Sequence, residues 1–274
     1  MAFSPKQLEQ IAARYEFGLS MLAATRRVVM GGFSYRGMAA EVKVDDSPVT
    51  KADRECEVLL REKIAAGFGG DTIVGEEYGV TEGSGEFRWV LDPIDGTRAF
   101  CRGVPLFGTL IGIEIRGTDG VWIPAAGICD LPALDETVSA MAGGGCWLRR
   151  GSGAPERCAV STLTDRARAV AGLTALQLFD QAGRPDIPAA MVRTFGDVRG
   201  WSDCYGYVLV ATGRMEAMID PVMKPWDLSA LIPIITEAGG TITGWNGDAT
   251  SDAGNAIAGS PWGYNKLRAI VDRC

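Results

Sequence analysis

The sequence contains no histidine. Imidazole is the side chain that most often holds zinc or acts as a general base, so other groups must perform both tasks here. Any catalytic chemistry in this chain therefore rests on carboxylates, hydroxyls and backbone amides, together with any hard cation that prefers oxygen ligands.

Further absences narrow the class of protein. The seven cysteines are odd in number and show no C-x-x-C spacing, which argues against a disulfide framework and a thiolate zinc site. No apolar run reaches the roughly 18 residues of a membrane span, and residues 1–10 show no basic-then-apolar leader. The net charge is −7, with no run of lysine and arginine suited to a nucleic-acid backbone. We expect a cytoplasmic protein with reduced thiols and no nucleic-acid polymer or membrane as partner.

Apolar residues are plentiful enough for a well-buried core. They make up 47% of the 274 residues, which suits one large domain or two closely packed lobes. Apolar spacing predicts helices over 7–30, 50–66, 201–212, 228–238 and 264–271. Short β-rich runs predict strands over 72–75, 87–91, 109–115, 120–129, 136–142, 146–148, 215–219 and 256–258. In the helix 50–66, Val58, Leu59 and Ile64 are expected to face inward. The pattern indicates an α+β lobe with a mostly antiparallel sheet at 1–152 and an α/β lobe at 153–274.

Two aspartates stand three residues apart in the segment 89–97, Trp-Val-Leu-Asp-Pro-Ile-Asp-Gly-Thr, which follows an apolar strand. A surface turn would explain them without any function, because Asp, Pro and Gly are the usual turn residues. Pro93 also restricts the chain so that Asp92 and Asp95 can face one point. Gly96 lets an anion approach the backbone amides of Gly96 and Thr97. Acids held so close repel each other unless a cation lies between them.

Four further acids occupy comparable positions. Glu76 and Glu77 follow the predicted strand 72–75, a place where surface pairs of acids are common. Asp227 opens the predicted helix 228–238, where capping alone would account for it. Asp53 lies one turn after a predicted N-cap at Thr50, where an acid also suits the helix dipole. Taken together, these acids and the absence of histidine favour a hard metal ion with oxygen ligands.

In their order and spacing, the motifs resemble the inositol monophosphatase-like family of Mg²⁺-dependent phosphatases over nearly the whole chain. They are Gly-Glu-Glu at 75–77, Asp-Pro-Ile-Asp-Gly-Thr at 92–97, Trp-Asp at 226–227 and Glu-Ala-Gly-Gly at 237–240. The resemblance implies a layered α-β-α-β-α sandwich and a homodimer. It also implies an enzyme with two to three Mg²⁺ ions per active site that hydrolyses a small phosphorylated metabolite.

The same resemblance assigns the metal ligands. They are Glu76, Glu77, Asp92, Ile94, Asp95 and Asp227. One ion would be held by Glu76, Asp92 and the backbone carbonyl of Ile94. A second would be held by Asp92, Asp95 and Asp227, and a third, looser ion would lie near the two glutamates.

Catalytic and substrate-binding roles are implied in the same way. The catalytic residues are Asp53, Glu76 and Thr97. The substrate-binding residues are Asp95, Gly96, Thr97, Arg98, Asp203 and Asp227. A water molecule would attack phosphorus in line, and Thr97 paired to Asp53 would orient or deprotonate it. The backbone amides of Gly96 and Thr97 would hold the phosphate.

Within the family, the segments 95–110 and 201–207 look more like the histidinol-phosphatase branch, which acts in histidine biosynthesis, than the inositol branch. Ala99 stands where the inositol branch commonly has asparagine. Asp203 would pair with the cationic amine or imidazolium of L-histidinol phosphate, although a helix-start acid satisfied by local backbone fits the position equally well. Arg98 would contact substrate or a neighbouring subunit, with a surface ion pair as the alternative.

L-Histidinol phosphate is therefore the expected substrate, and two other kinds of function stay open. The same chemistry would suit inositol phosphates, a sugar bisphosphate such as fructose 1,6-bisphosphate, or a 3′(2′),5′-bisphosphate nucleotide. A metal-stabilised binding protein without turnover would keep the fold and lose the reaction.

Overall fold

The computed structural model describes residues 3–39, 41–42, 48–201 and 203–273. Ser202 of the segment 201–207 and Cys274, one of the seven cysteines, lie outside these ranges. The α-helices are α1 (Pro5–Gly32), α2 (Lys51–Phe68), α3 (Thr97–Cys101), α4 (Leu176–Gln181), α5 (Asp186–Thr194), α6 (Asp203–Ala211), α7 (Pro225–Leu228), α8 (Leu231–Glu237) and α9 (Pro261–Val271). A 3₁₀ turn spans Ser251–Ala253.

The strands fall into one short pair and two sheets. The pair is β1 (Glu41–Val42) and β2 (Pro48–Val49). The large sheet contains β3 (Thr72–Gly75), β4 (Gly79–Thr81), β5 (Phe87–Asp95), β6 (Gly108–Arg116), β7 (Trp122–Leu131), β8 (Glu136–Met141), β9 (Gly145–Arg150) and β10 (Glu156–Arg157). The small sheet contains β11 (Val170–Leu173), β12 (Asp197–Arg199), β13 (Ala217–Asp220), β14 (Thr241–Thr243) and β15 (Ala256–Gly259).

The large sheet has the order β10-β9-β8-β7-β6-β5-β3-β4. Its neighbours are antiparallel except β3 and β5, which run parallel. The small sheet has the order β12-β11-β13-β15-β14, with β11 parallel to both its neighbours and β15 antiparallel to both of its own. The predicted antiparallel character of the first part is therefore correct apart from the β3–β5 pair. The predicted division at 152/153 stays a prediction, and the large sheet continues to β10 beyond it.

Three apolar clusters hold five layers together. The first joins α1 and α2 to one face of the large sheet, and it includes Ile11, Leu60 and Trp89. The second places α6 and α8 between the large and small sheets. The third covers the outer face of the small sheet with α4, α5 and α9, where Met191 and Leu267 lie in one cluster with the strands. The layered α-β-α-β-α sandwich is confirmed. Within the described ranges, the helices lack the combination of length and apolar character needed to cross a bilayer.

Several predicted elements differ from the structure for local reasons. On α2, Ile64 is buried as predicted, whereas Val58 is 40% exposed and Leu59 is only half-buried; the other inward apolar positions include Cys56 and Leu60. Cys56, Leu60 and Ile64 share a face because they recur every four residues. Val58 lies two residues from Cys56 and from Leu60, which places it about 200° around the helix from them. The predicted helix 228–238 is interrupted and forms α7 and α8. Helices α3, α4 and α5 and strands β1, β2, β4, β10, β11, β12 and β14 were not predicted, and all of them except α5 are six residues or shorter.

Candidate metal centre

The parallel pairing of β3 and β5 brings two strand-end acids together. Gly75 lies opposite Leu91, so the residues that follow them, Glu76 and Asp92, leave the sheet at the same edge. The Glu76 amide donates to the Leu91 carbonyl at 3.2 Å, which fixes its backbone to β5. The Glu76 carboxyl lies close enough to Asp92 to raise the pKa of the Asp92 carboxyl.

A β-bulge in β5 redirects Asp95 toward the same point. The register shifts between Asp92 and Asp95, and Thr109 Oγ1 donates to the Pro93 carbonyl within the irregular stretch at 2.8 Å. The sequence predicted a turn here, whereas the strand continues through Asp95. Bulges of this kind re-aim side chains at the rims of sheets. Asp95 Oδ2 accepts the backbone amide of Cys204, at the start of α6, at 2.5 Å.

Asp227 reaches the centre from a helix that packs against β5 and β6. It lies in the first turn of α7, as predicted, and its Oδ2 accepts the Lys224 amide at 2.7 Å. Carboxylate oxygens of Asp92, Asp95 and Asp227 all lie within 4.8 Å of one another. Asp92 is 2% exposed, and its Oδ1 has no hydrogen-bond partner among the described residues. An orphaned buried carboxylate oxygen beside two further carboxylates fits a hard divalent cation.

The electrostatics of this cluster point in the same direction. Burial raises the pKa of Asp92 well above its ordinary value, and the neighbouring Glu76, Asp95 and Asp227 raise it further. Burial raises the pKa of Asp227 to about 7, against the lowering effect of the Lys224 amide. Without a cation, these acids therefore retain protons at a pH where isolated carboxylates are ionised.

Asp53 and Thr97 each make hydrogen bonds to nearby residues in the chain. Thr50 donates to Asp53 Oδ2 from its amide at 2.8 Å and from its hydroxyl at 2.5 Å, so this oxygen is used in capping α2. Asp53 Oδ1 is buried and has no hydrogen-bond partner in the described part of the chain. Burial raises the pKa of Asp53 to about 6, and nearby Glu76 contributes. The Thr97 hydroxyl donates to the Ile94 carbonyl at 2.9 Å rather than to Asp53.

Asp203 lies beside the turn that follows β5. Its backbone has φ of 52°, and its amide donates to Thr174 Oγ1 at 3.1 Å. Gly96, with φ of 85°, is the N-cap of α3. A Cβ at Gly96 would lie 3.2 Å from Asp203 Oδ2, so this glycine lets Asp203 approach the backbone closely. Arg98, also on α3, is exposed.

Asp220, which the sequence reasoning missed, lies next to Asp203. It ends β13 and is 3% exposed. Its Oδ1 accepts the Thr174 amide at 2.9 Å and its Oδ2 accepts the Tyr207 hydroxyl at 3.0 Å. Burial raises its pKa to about 7, and nearby Asp203 adds to the effect. Its position directly after an apolar strand is the signal that identified Asp92, and the same reasoning would have found it.

A cavity of about 60 Å³ connects this pair to the metal centre. Four acids line it, and they are Asp95, Asp203, Asp220 and Asp227. Met223 and Leu231 contribute apolar surface. The volume equals roughly two water molecules in the liquid. The cavity therefore suits one small polar group, and its charge favours a cationic one.

Comparisons with known proteins agree with this geometry. The sequence pattern of the Inositol monophosphatase family matches residues 12–273. A histidinol-phosphatase from Chlorobaculum parvum is 35% identical over 258 residues, which cover 93% of this chain and 95% of that protein. An inositol-1-monophosphatase from Mesorhizobium japonicum is 29% identical and covers 77% of this chain and 78% of its own length. The solved structure of an inositol monophosphatase from Zymomonas mobilis superposes with a TM-score of 0.80 at 25% identity, covering 95% of this chain and 98% of that one. The chain therefore belongs to the inositol monophosphatase family.

Proposed function

We propose that this protein is a Mg²⁺-dependent phosphomonoesterase that converts L-histidinol phosphate to L-histidinol. The observation that carries the proposal is the convergence of Asp92, Asp95 and Asp227 within 4.8 Å, with a buried carboxylate oxygen that lacks a protein partner among the described residues. Oxygen-only donors of this kind suit Mg²⁺. We assign two to three ions to the site, held by Glu76, Glu77, the three aspartates and the Ile94 carbonyl.

The reaction needs positioning and charge neutralisation more than covalent chemistry, because the phosphoryl group passes through a loose transition state. The divalent cations supply Lewis acidity and neutralise the negative charge on the phosphoryl oxygens. The amides of Gly96 and Thr97, at the start of α3, bind the phosphate. Asp53 serves as the proton acceptor, supported by its buried, unpartnered Oδ1 among the described residues and a pKa raised to about 6, near the pH at which a general base works well.

Thr97 has a second task in this proposal. Its hydroxyl donates to the Ile94 carbonyl at 2.9 Å and steadies an oxygen that is assigned to the metal. To pair with Asp53 the hydroxyl must leave the Ile94 carbonyl, and threonine has alternative χ1 rotamers through which it can turn. The proposed Thr97–Asp53 pair therefore belongs to the substrate-bound state.

The choice of substrate rests on Asp203 and Asp220. Both carboxylates line a small cavity beside the metal centre, and a cation there would form charge-assisted hydrogen bonds with them. The ammonium group of L-histidinol phosphate has the right charge, and it is small enough for a volume of about 60 Å³. The 35% identity to a histidinol-phosphatase supports the same choice.

The proposal is tested with purified protein and a panel of phosphomonoesters ranked by kcat/KM. L-Histidinol phosphate, inositol 1-phosphate, fructose 1,6-bisphosphate and 3′(2′),5′-bisphosphate nucleotides belong in the panel. We expect L-histidinol phosphate to rank first. A panel led by an uncharged polyol phosphate would overturn the substrate and leave the metal-dependent chemistry in place.

Inositol phosphates are the second candidate. The likeness to inositol monophosphatases in sequence and fold favours them, and the carboxylates of Asp203 and Asp220 can accept hydrogen bonds from ring hydroxyls. The acidic lining is the feature that ranks them below L-histidinol phosphate, since a neutral ring does not offset its charge.

We further propose a cytoplasmic homodimer in which the exposed Arg98 contacts substrate or the neighbouring subunit. The six cysteines in the described residues are buried and unbridged thiols, which suits a reducing compartment. Light scattering distinguishes the dimer from the 29.1 kDa monomer.

A further inference from the structure

Helix α2 carries three charged residues on one face. Asp53, Glu57 and Arg61 recur every four residues, so they lie one above another along the helix. Glu57 is fully buried at 0% exposure. Charged residues are almost never buried to this degree unless they are paired. Its contacts therefore indicate what it does.

The Glu57 carboxylate holds the turn that carries the glutamates of the metal centre. Its Oε2 accepts the Glu77 amide at 2.7 Å, and its Oε1 accepts the Tyr78 amide at 3.2 Å. On the other side of this turn, the Glu76 amide is bonded to the Leu91 carbonyl of β5. The backbone of the turn is thus fixed at three successive amides, and two of these bonds end on Glu57.

Arg61 bonds both to Glu57 and to strand β4. Its Nε donates to Glu57 Oε1 at 2.7 Å and balances the buried charge. Its Nη2 donates to the Gly79 carbonyl at 2.5 Å, and its Nη1 donates to Thr81 Oγ1 at 2.9 Å. The Glu57–Arg61 pair therefore fastens both the turn and strand β4 to α2.

The position of the Glu57 carboxylate also requires a glycine at position 75. A Cβ at Gly75 would lie 2.0 Å from Glu57 Oε1, which no side chain could tolerate without displacing the carboxylate. The glycine before the two glutamates thus allows the closest approach of Glu57 to the strand end. This gives the Gly-Glu-Glu motif a physical role in addition to its carboxylates.

We propose that Glu57 is a positioning residue that fixes Glu76 and Glu77 for metal binding. The inference rests on the proposed metal centre and adds a residue that acts on it through hydrogen bonds to the turn. Partners that orient metal ligands typically change metal affinity by about 10- to 100-fold when they are mutated. Glu57→Gln should therefore weaken Mg²⁺ binding at least ~10-fold, because a neutral amide faces Arg61 with poor donor geometry and loosens the turn.

Glu114→Gln is the matched control. Glu114 is equally buried and pairs with Arg88 at 2.6 Å, close to the 2.7 Å of the Glu57 pair. Arg88 lies four residues before Asp92 on β5, or about 13 Å along the strand. The control thus removes one charge from a comparable buried ion pair away from the turn.

Isothermal titration with Mg²⁺ and the melting temperature of the metal-free protein are measured for wild type and both variants. We expect both variants to melt earlier and only Glu57→Gln to lose Mg²⁺ affinity. Unchanged affinity in Glu57→Gln, or an equal loss in Glu114→Gln, would overturn the inference. Should Glu57→Gln fail to fold, Arg61→Lys decides the question, because it keeps the charge and loses the bonds to β4. Wild type that binds no Mg²⁺ would count against the proposed function instead.

Discussion

At the scale of single residues, the centre is defined by carboxylates that are costly to hold together. Asp92 is buried, carries an oxygen without a partner among the described residues, and has a pKa raised by burial and by three acidic neighbours. Such an arrangement is unfavourable in a metal-free protein and favourable around a cation. The proposed chemistry therefore follows from a local electrostatic imbalance.

Asp95→Asn tests the central ligand set. The amide keeps an acceptor for the Cys204 N–H and removes a negative charge from the cluster. We expect phosphatase activity to fall by more than ~100-fold, exceeding the range seen for residues that only orient ligands. The melting temperature of the metal-free protein should stay the same or rise, because the substitution removes one of the carboxylates that repel one another. Asp119→Asn, at an exposed turn, is the control and should keep full activity. An active Asp95→Asn protein would contradict the assignment.

Asp203→Asn tests substrate choice. Loss of a hydrogen bond to a charged group costs about 1.5–3 kcal/mol, which corresponds to roughly 10- to 100-fold in kcat/KM. We expect this loss for L-histidinol phosphate and little change for inositol 1-phosphate, because only the first carries an ammonium group. Parallel steady-state kinetics on the two substrates provide the measurement. Equal losses on both would argue that Asp203 acts on the fold rather than on the substrate cation.

Asp220→Asn tests the pH dependence of stability. The pKa of Asp220 is about 7 in the folded protein against an ordinary value of 3.8, so the folded state binds the extra proton between these values. The stability of the metal-free protein must then fall as pH rises through that window. In the presence of a chelator, melting temperatures from about pH 5 to about pH 8 should fall less steeply for Asp220→Asn than for wild type. Identical slopes would show that the pKa of Asp220 is not raised into this pH range in the folded state.

At the scale of elements, close contacts between β-strands and helices bring the ligands together. Gly112 on β6 and Gly127 on β7 are paired in register. A Cβ at Gly112 would lie 2.1 Å from Ser229 Oγ, and one at Gly127 would lie 2.0 Å from the Ala230 carbonyl. These two glycines form a notch that receives residues 229–230, directly after α7. The notch thereby sets the distance between Asp227 and the large sheet.

Gly127→Ala should push α7 and α8 away from the sheet. Overpacking of this kind typically costs about 1–3 kcal/mol, and we expect weaker Mg²⁺ binding because Asp227 moves with α7. Chemical unfolding and Mg²⁺ titration measure the two effects. Gly31→Ala, where a Cβ meets nothing within 4 Å, is the control and should be neutral or stabilising in α1. Normal Mg²⁺ affinity in Gly127→Ala would show that the centre tolerates the shift.

The sequence predicted long, strongly patterned elements better than contacts between them. Helix 7–30 matches α1, and strand 109–115 falls within β6, because each has a clear apolar period. The bulge after Asp92 was predicted as a turn, because proline is a common turn residue. The register between β5 and β6 cannot be read from the sequence. Glu57 was missed for a similar reason, because the turn that it bonds to lies twenty residues away in the sequence.

At the scale of the whole molecule, the site lies where the layers meet. The large sheet supplies Glu76, Asp92 and Asp95, whereas Asp220 ends a strand of the small sheet and Asp227 lies on α7 between them. The motifs could be read from the sequence because each acid follows a strand or opens a helix. The small acidic cavity could not, since it depends on how α6 and β13 approach the bulge in β5.

Phosphate release from L-histidinol phosphate, measured with purified protein while Mg²⁺ is added and then removed by a chelator, is the decisive measurement for the proposed metal-dependent phosphatase. We predict turnover that rises to saturation with Mg²⁺, disappears with the chelator and returns when Mg²⁺ is restored. If no metal-dependent phosphate release is seen from this substrate or from any other phosphomonoester of the panel, the protein is not a metal-dependent phosphatase.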